Sequence, residues 1–276
     1  MRKIPNSRRN LDLAIQRNFG QSKDYLDYLE VRTVMANAIV AQMLPSGAVK
    51  GGSAIKFRLG YSSTRFTSDL DTVYRTDLKA FIADYEVELK NGWNGFTGKI
   101  VAKTPAEPKG IPPEYVMQPF EVKLSYNGKS WITVILEVGH NEIGDGDEPD
   151  WGMSSDVISI FEELGFPAPK PVALMPLSHQ IAQKLHGLSE QGSKRVHDLI
   201  DLQLIVAHAD PDLRSTREIC EQLFEYRKKQ SWPPTITIGN NWDSLYSTQI
   251  GSLSVLNSVD EAVSWANDLI QQIIAA

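Results

Sequence analysis

The segment from Val49 to Tyr74, VKGGSAIKFRLGYSSTRFTSDLDTVY, constrains this chain more than any other part of it. A short apolar strand runs into Gly51-Gly52-Ser53, and a helical segment follows from about Ala54. After a polar turn, Asp69 and Asp71 alternate with apolar Leu70 and Thr72-Val73. Side chains at i and i+2 of a strand point to the same side, roughly 6.5–7 Å apart along it. Two carboxylates therefore share one face beside a glycine turn that opens a helix. Such a turn leaves backbone N–H groups aimed at an anion, and glycine lets a phosphate approach closely. The acid pair suits one or two Mg²⁺ (or Mn²⁺) ions, whose hard character matches carboxylate and phosphate oxygens. Alone, a Gly-Gly-Ser turn is usually only a turn, and an Asp-x-Asp pair is usually a solvated strand end. Their succession is the rare part, and it points to nucleotide chemistry. It is not a Walker A loop, because no Gly-Lys-Ser/Thr follows the glycines. Lys50 precedes them instead, and Ser53 stands where a hydroxyl at a helix N-terminus bonds a phosphate oxygen.

With 276 residues the chain is long enough for one large domain or two modest ones. Hydrophobic content of 42% and charged content of 22% are those of an ordinary globular protein. Cys220 is the only cysteine, which rules out an intramolecular disulfide and suits a reducing cytoplasm. No apolar run approaches a membrane span, and the start MRKIPNSRRN has no apolar h-region behind it. A cytoplasmic protein with no membrane partner is expected. The net charge of −6 argues against a nucleic-acid substrate, yet local fields rather than the sum decide docking. Arg2, Lys3, Arg8, Arg9 and Arg17 make the N-terminus basic, either as a solvated tail or as part of a basic face. Acids gather between Glu142 and Glu148.

Helical periodicity from Tyr25 to Leu44 stops at Pro45-Ser46-Gly47. Strands are expected over Ala48 to Lys50 and Asp69 to Tyr74. Asp77 reads as the N-cap of a helix over Leu78 to Leu89. Phe96 to Lys103 alternates as a strand, Thr104 to Pro119 is a proline-rich excursion, and Asn127-Gly128 joins Phe120–Tyr126 to Trp131–Val138 as a hairpin. From Met153 onward helices dominate and no further strand is expected. Their spans are Leu177 to Leu188, Arg195 to His208, Ser215 to Lys229 and Ser258 to Ile274, and the four prolines between Phe166 and Pro176 mark a crossing. The fold class is α/β (α+β): a mixed-sheet core with its N-terminal helix over 1–152, then a helical domain over 153–276.

The GGS turn followed by SDLD resembles the signature of the polymerase-beta-type nucleotidyltransferase superfamily. A second block narrows this. Leu177 to Leu188, followed by Arg195-Val196-His197-Asp198-Leu199-Ile200-Asp201-Leu202, resembles the second half of the AbiEii/AbiGii toxin family. The likeness is to its MenT branch, toxins that add nucleotides to tRNA acceptor ends. Lys123 to Gly128 and Trp232-Pro233-Pro234 also have counterparts there, so the resemblance runs from about Tyr25 to Tyr246.

The superfamily implies a third carboxylate on a neighbouring strand, and Glu137, which breaks the apolar run Ile132 to Val138, is the candidate metal ligand beside Asp69 and Asp71. Lys184 lies in an apolar helix stripe, where a lysine either snorkels or has a partner. The resemblance implies that it neutralises the triphosphate. Asp198 matches an acid of the family's fourth motif and is expected to orient Lys184, whereas Asp201 is the weaker candidate. Gly51, Gly52, Ser53, Arg65 and Ser68 are the expected nucleotide-binding set. His179, His186 and His197 lack zinc-ligand spacing and read as structural. The resemblance implies transfer of a nucleotide from an NTP to the tRNA acceptor end, with pyrophosphate released, growth inhibited, and a cognate antitoxin as partner. A protein hydroxyl or a small molecule such as an aminoglycoside as acceptor, or a non-enzymatic binding module on the same fold, are the alternatives.

Overall fold

The computed structural model describes residues 3–20, 25–75, 77–105 and 116–276, without the side chains of 25–27. Its contacts divide the chain into two units. The first takes in Met1–Ser62, Phe66–Asn141 and Gly146–Leu174, and the second Ser63–Arg65, Glu142–Asp145 and Met175–Ala276.

In the first unit, α1 (Arg8–Phe19) and α2 (Tyr25–Gln42) precede β1 (Gly47–Lys50), α3 (Gly51–Leu59) and β2 (Leu70–Tyr74). Then come α4 (Leu78–Asn91), β3 (Phe96–Ala102), β4 (Gln118–Tyr126), β5 (Lys129–His140), β6 (Asp150–Gly152), α5 (Ser155–Glu163) and β7 (Val172–Leu174). The strands form one sheet in the order β3-β4-β5-β2-β1-β7-β6. Pairing is parallel at β5–β2 and β1–β7 and antiparallel elsewhere, so the sheet is mixed as expected.

The two faces of the central strands differ in chemistry because strand side chains alternate. Val49, Leu70, Leu136 and Val138 join the main core together with Val34, Met35 and Ile39 of α2. Residues 34–41 of α2 are all buried, which suits a helix that is apolar all round. The intervening residues Lys50, Asp71 and Glu137 take the opposite face. α4 starts at Asp77, whose carboxylate accepts the Lys79 and Ala80 N–H groups, and it buries Phe81, Tyr85 and Leu89 on one stripe. Each such side chain contributes about 1.5–3 kcal/mol by leaving water. Asn127 and Gly128 both take positive φ, as a two-residue hairpin turn of this hand requires.

In the second unit, α6 (Leu177–Leu188), α7 (His197–Ala209), α8 (Leu213–Arg227), α9 (Trp242–Ile250) and α10 (Val259–Ala275) follow one another. Asp212 caps α8 and Ser258 caps α10 through their side-chain oxygens. Gln203 of α7 donates to the Tyr246 hydroxyl and accepts the Leu256 N–H, while that hydroxyl donates to the Leu256 carbonyl. This closed set of bonds ties α7, α9 and the approach to α10 together.

Three expectations need correction. The basic N-terminus is not a solvated tail: residues 8–19 form α1, capped by Ser7, with Leu11 and Ile15 fully buried and Asp12 accepting from the Trp131 indole. A strand does follow Met153: β7 is three buried residues between Pro171 and Pro176, too short to show alternation. By contacts, the main division between units falls at Leu174/Met175, inside the proline-rich crossing, and β7 pairs with β1. The third helix starts at Gly51 itself rather than at Ala54. The proline-rich excursion 104–119 lies mostly outside the described residues, at 106–115.

Candidate functional site

The end of β1 and the start of α3 are built against the acid strand. Gly51 has φ +63°, and a Cβ placed there would lie 2.1 Å from Oδ2 of Asp71. Only glycine satisfies both the backbone and the space. Lys50 stands opposite Asp71 in the antiparallel register, and Asp71 stands beside Glu137 in the parallel one. Asp69 lies just before β2, with Ser68 donating to its Oδ1 at 3.4 Å. The Asp69 carbonyl accepts from Ser53 Oγ at 2.7 Å and from Asn37 Nδ2 at 3.4 Å. Ser53 is buried, and its hydroxyl proton is given to the segment that carries Asp69. It fixes the first acid relative to the helix start.

Electrostatics single out Glu137. Burial raises its carboxyl above the ordinary carboxylate range, the Asp69 charge adds to the rise, and Lys50 opposes it. A carboxyl raised by a neighbouring carboxylate stands where a cation is favoured. Among the described residues, no group of three or more histidine, cysteine, aspartate or glutamate side chains is placed to hold a metal ion. Mg²⁺ does not need one: it takes one or two carboxylates and fills its remaining positions with water and phosphate oxygens. The carboxylate oxygens of Asp69, Asp71 and Glu137 are hard donors of the kind that ion takes.

The second unit holds a buried charge cluster. Lys184 on α6 is only 4% exposed, and its ammonium donates to Asp198 Oδ1 at 2.6 Å and to Asp201 Oδ2 at 2.7 Å. It does not snorkel. Arg65 donates to both oxygens of Asp201 at 2.9 Å, and Arg195 Nε donates to Asp198 Oδ2 at 2.6 Å. Burial by itself would raise the Asp198 carboxyl, but Lys184 and then Arg195 outweigh it and hold it well below the usual range. Asp201 behaves likewise, with Lys184 and Arg65 overcoming its burial. Two ionised acids thus face three cations. His197, 3.7 Å from Asp198, is kept neutral chiefly by burial, against the pull of that carboxylate.

Of the expected residues, Gly51, Gly52, Ser53, Ser68, Asp69, Asp71 and Glu137 lie in the first unit. Arg65, Lys184 and Asp198 come together in the second. Arg65 is engaged with Asp201, which sequence reasoning ranked below Asp198. Asn37 was missed altogether. Its signal is present in the sequence: it is a lone amide in the apolar helix run VMANAIVA.

A family model described as the nucleotidyl transferase AbiEii toxin of a type IV toxin–antitoxin system matches residues 34–266. Among solved structures, the chain is similar to MenT4, a nucleotidyltransferase toxin from Mycobacterium tuberculosis H37Rv. The TM-score is 0.59 at 15% identity, over 96% of this chain and 90% of that one. JHP933 from Helicobacter pylori aligns with a TM-score of 0.45 at 16% identity, over 89% and 90%. No curated protein sequence matches. At such identities the structural likeness to MenT4 speaks for the fold. The family match, covering most of the chain, speaks for the chemistry. The chain belongs to the AbiEii nucleotidyl transferase toxin family of type IV toxin–antitoxin systems, and it is a nucleotidyltransferase.

Proposed function

We propose that this enzyme transfers a nucleoside monophosphate from an NTP to the 3′-terminal hydroxyl of tRNA, releasing pyrophosphate and blocking translation in the cytoplasm, with a cognate antitoxin to restrain it. The observation that carries the chemistry is the fit of Gly51 against Asp71, which joins an anion-binding helix start to a metal-binding acid. The acceptor follows from the resemblance to MenT-type toxins.

The N–H groups at Gly51 and Gly52 take phosphate oxygens. Asp69, Asp71 and Glu137 would hold one or two Mg²⁺ or Mn²⁺ ions. When bound, such ions acidify the attacking hydroxyl and neutralise the leaving pyrophosphate. The hydroxyl oxygen bonds to the α-phosphorus as the bond to the α,β-bridging oxygen breaks in line, and the hydroxyl proton passes to water. No covalent enzyme intermediate is needed. Ser53 and Asn37 keep Asp69 in place. For Lys184 the reading is the one its motif implies, neutralisation of triphosphate charge: two of its three N–H groups go to Asp198 and Asp201, leaving one donor. Arg65 acts on Lys184 through Asp201, as a positioning residue.

The test is incubation with each radiolabelled NTP and total tRNA, total protein or an aminoglycoside panel, followed by sequencing of tRNA 3′ ends. Label is expected in tRNA alone, lost in EDTA and retained with a zinc-selective chelator. Label in protein or drug would reassign the acceptor, and full transfer in EDTA would remove the metal from the mechanism.

A further inference from the structure

Lys50 shares the acid face of the sheet. It stands opposite Asp71 on β1, Asp71 stands beside Glu137 on β5, and Gly139 follows Glu137 on the same side of that strand. The lysine reaches across β2 to β5. A Cβ placed on Gly139 would lie 2.7 Å from Lys50 Nζ and 3.4 Å from its Cε, with Met117 Sδ also at 2.7 Å. The absent side chain at Gly139 is therefore room for an ammonium. In the same sheet, Ala48 and Val73 beyond this group are apolar and pack with Ala173, so Lys50 is the charged residue that β1 adds to this face.

We propose that Lys50 is the resident counter-ion of the Asp69, Asp71 and Glu137 face, and that a divalent ion binds there by displacing its ammonium. The inference rests on the metal-binding reading of those three acids. The ammonium offsets carboxylate repulsion in the metal-free protein and repels an incoming cation. A nucleoside triphosphate brings negative charge of its own and draws the ammonium off. Metal and nucleotide then enter together, and the enzyme stays unloaded when nucleotide is scarce.

Mn²⁺ binding to the nucleotide-free protein, followed by the electron paramagnetic resonance signal of free Mn²⁺, tests this without recourse to activity. Lys50→Met is expected to bind Mn²⁺ about tenfold tighter or more, the scale of removing one nearby positive charge at partial burial. Gly139→Ala, which pushes the ammonium away, is expected to shift affinity in the same direction, and Lys50→Arg should stay near wild type. If Lys50→Met fails to fold by circular dichroism, Gly139→Ala and Lys50→Gln carry the test. Equal, weaker or unmeasurable binding in these charge-removing variants overturns the proposal. Asp71→Asn separates the two readings: loss of Mn²⁺ binding there upholds the acids as ligands whatever Lys50 does. Unchanged binding in Asp71→Asn removes the metal reading and Lys50's role with it.

Discussion

Arg65 and Asp201, 136 positions apart in the chain, meet fork to fork, Nε and Nη2 of the guanidinium each donating to its own carboxylate oxygen at 2.9 Å. The oxygen that takes Arg65 Nη2 also accepts from Lys184 Nζ at 2.7 Å, so a loop residue and a helix lysine are held through one acid. A planar bidentate donor of this kind is not replaceable by lysine.

Removing the ammonium from this cluster is expected to harm both stability and transfer. Lys184→Met leaves two buried carboxylates short of a cation and should cost about 3 kcal/mol in urea unfolding. The double variant Lys184→Met/Asp201→Asn should recover part of that, with a coupling energy of about 0.5–3 kcal/mol. Transfer should fall about a hundredfold in Lys184→Met. Additive losses would show that the pair is not coupled, and unchanged transfer would confine Lys184 to a structural part.

Asp69→Asn and Asp71→Asn should each lower transfer by about a thousandfold or more, the scale of losing a ligand to a catalytic ion. Their melting temperatures should stay near wild type, since neither acid belongs to the apolar core. Near-normal kinetics in either folded variant would refute the assignment.

Gly51→Ala couples backbone strain to displacement of the Asp71 carboxylate. Alanine at a positive φ should cost about 1 kcal/mol or more of stability. Transfer should fall by a far larger factor than that cost explains, because the added carbon occupies the space of Asp71 Oδ2. A variant that loses stability but keeps full turnover would show that the carboxylate can move without consequence.

His186 should govern stability on mild acidification. Burial first, then Arg227, Lys229 and Arg195, push its pKa down to about 3 from an ordinary 6.5. Its Nδ1 lies 3.3 Å from Arg227 Nη1, and Nη2 of the same guanidinium pairs with Glu142. The folded pKa lies below the unfolded one, so the unfolded chain takes up the extra proton. This contribution is complete above about pH 6.5 and is lost as the pH falls towards 3. The slope is at most about 1.4 kcal/mol per pH unit. Asp198 and Asp201, also depressed, begin to matter only below their ordinary value of 3.8. Urea unfolding at pH 6.5, 5.5 and 4.5 should therefore show a decline in wild type that His186→Gln flattens. Parallel declines in both proteins would acquit the histidine.

What could be read in advance was what local chemistry announces. The bounds of α6 agree with the expected Leu177 to Leu188, Asp77 caps α4, and Asn127-Gly128 turns the β4–β5 hairpin. Each rests on spacing within a few residues. α1 was obscured because its charges outnumber its two buried positions, Leu11 and Ile15. β7 was obscured because three residues cannot establish a period. At the site, the glycine turn and the two aspartates stand close in sequence and were legible together. Lys50 against Gly139, and Arg65 against Asp201, join residues that no local spacing relates. Only the sheet order and the helix packing reveal them.

The pairing of β1 with β7 sets the order in which this enzyme can come into being. Both aspartates have been made by residue 71, yet the strand that flanks β1 on its other side is Val172–Leu174. The first unit therefore cannot close on a growing chain until some hundred further residues have emerged. Two short stretches made earlier, Ser63–Arg65 and Glu142–Asp145, must meanwhile wait for the helices they join after Met175. Neither unit is a contiguous piece of chain. A chain cut short before Val172 therefore carries both aspartates without the strand that flanks β1 in the finished sheet.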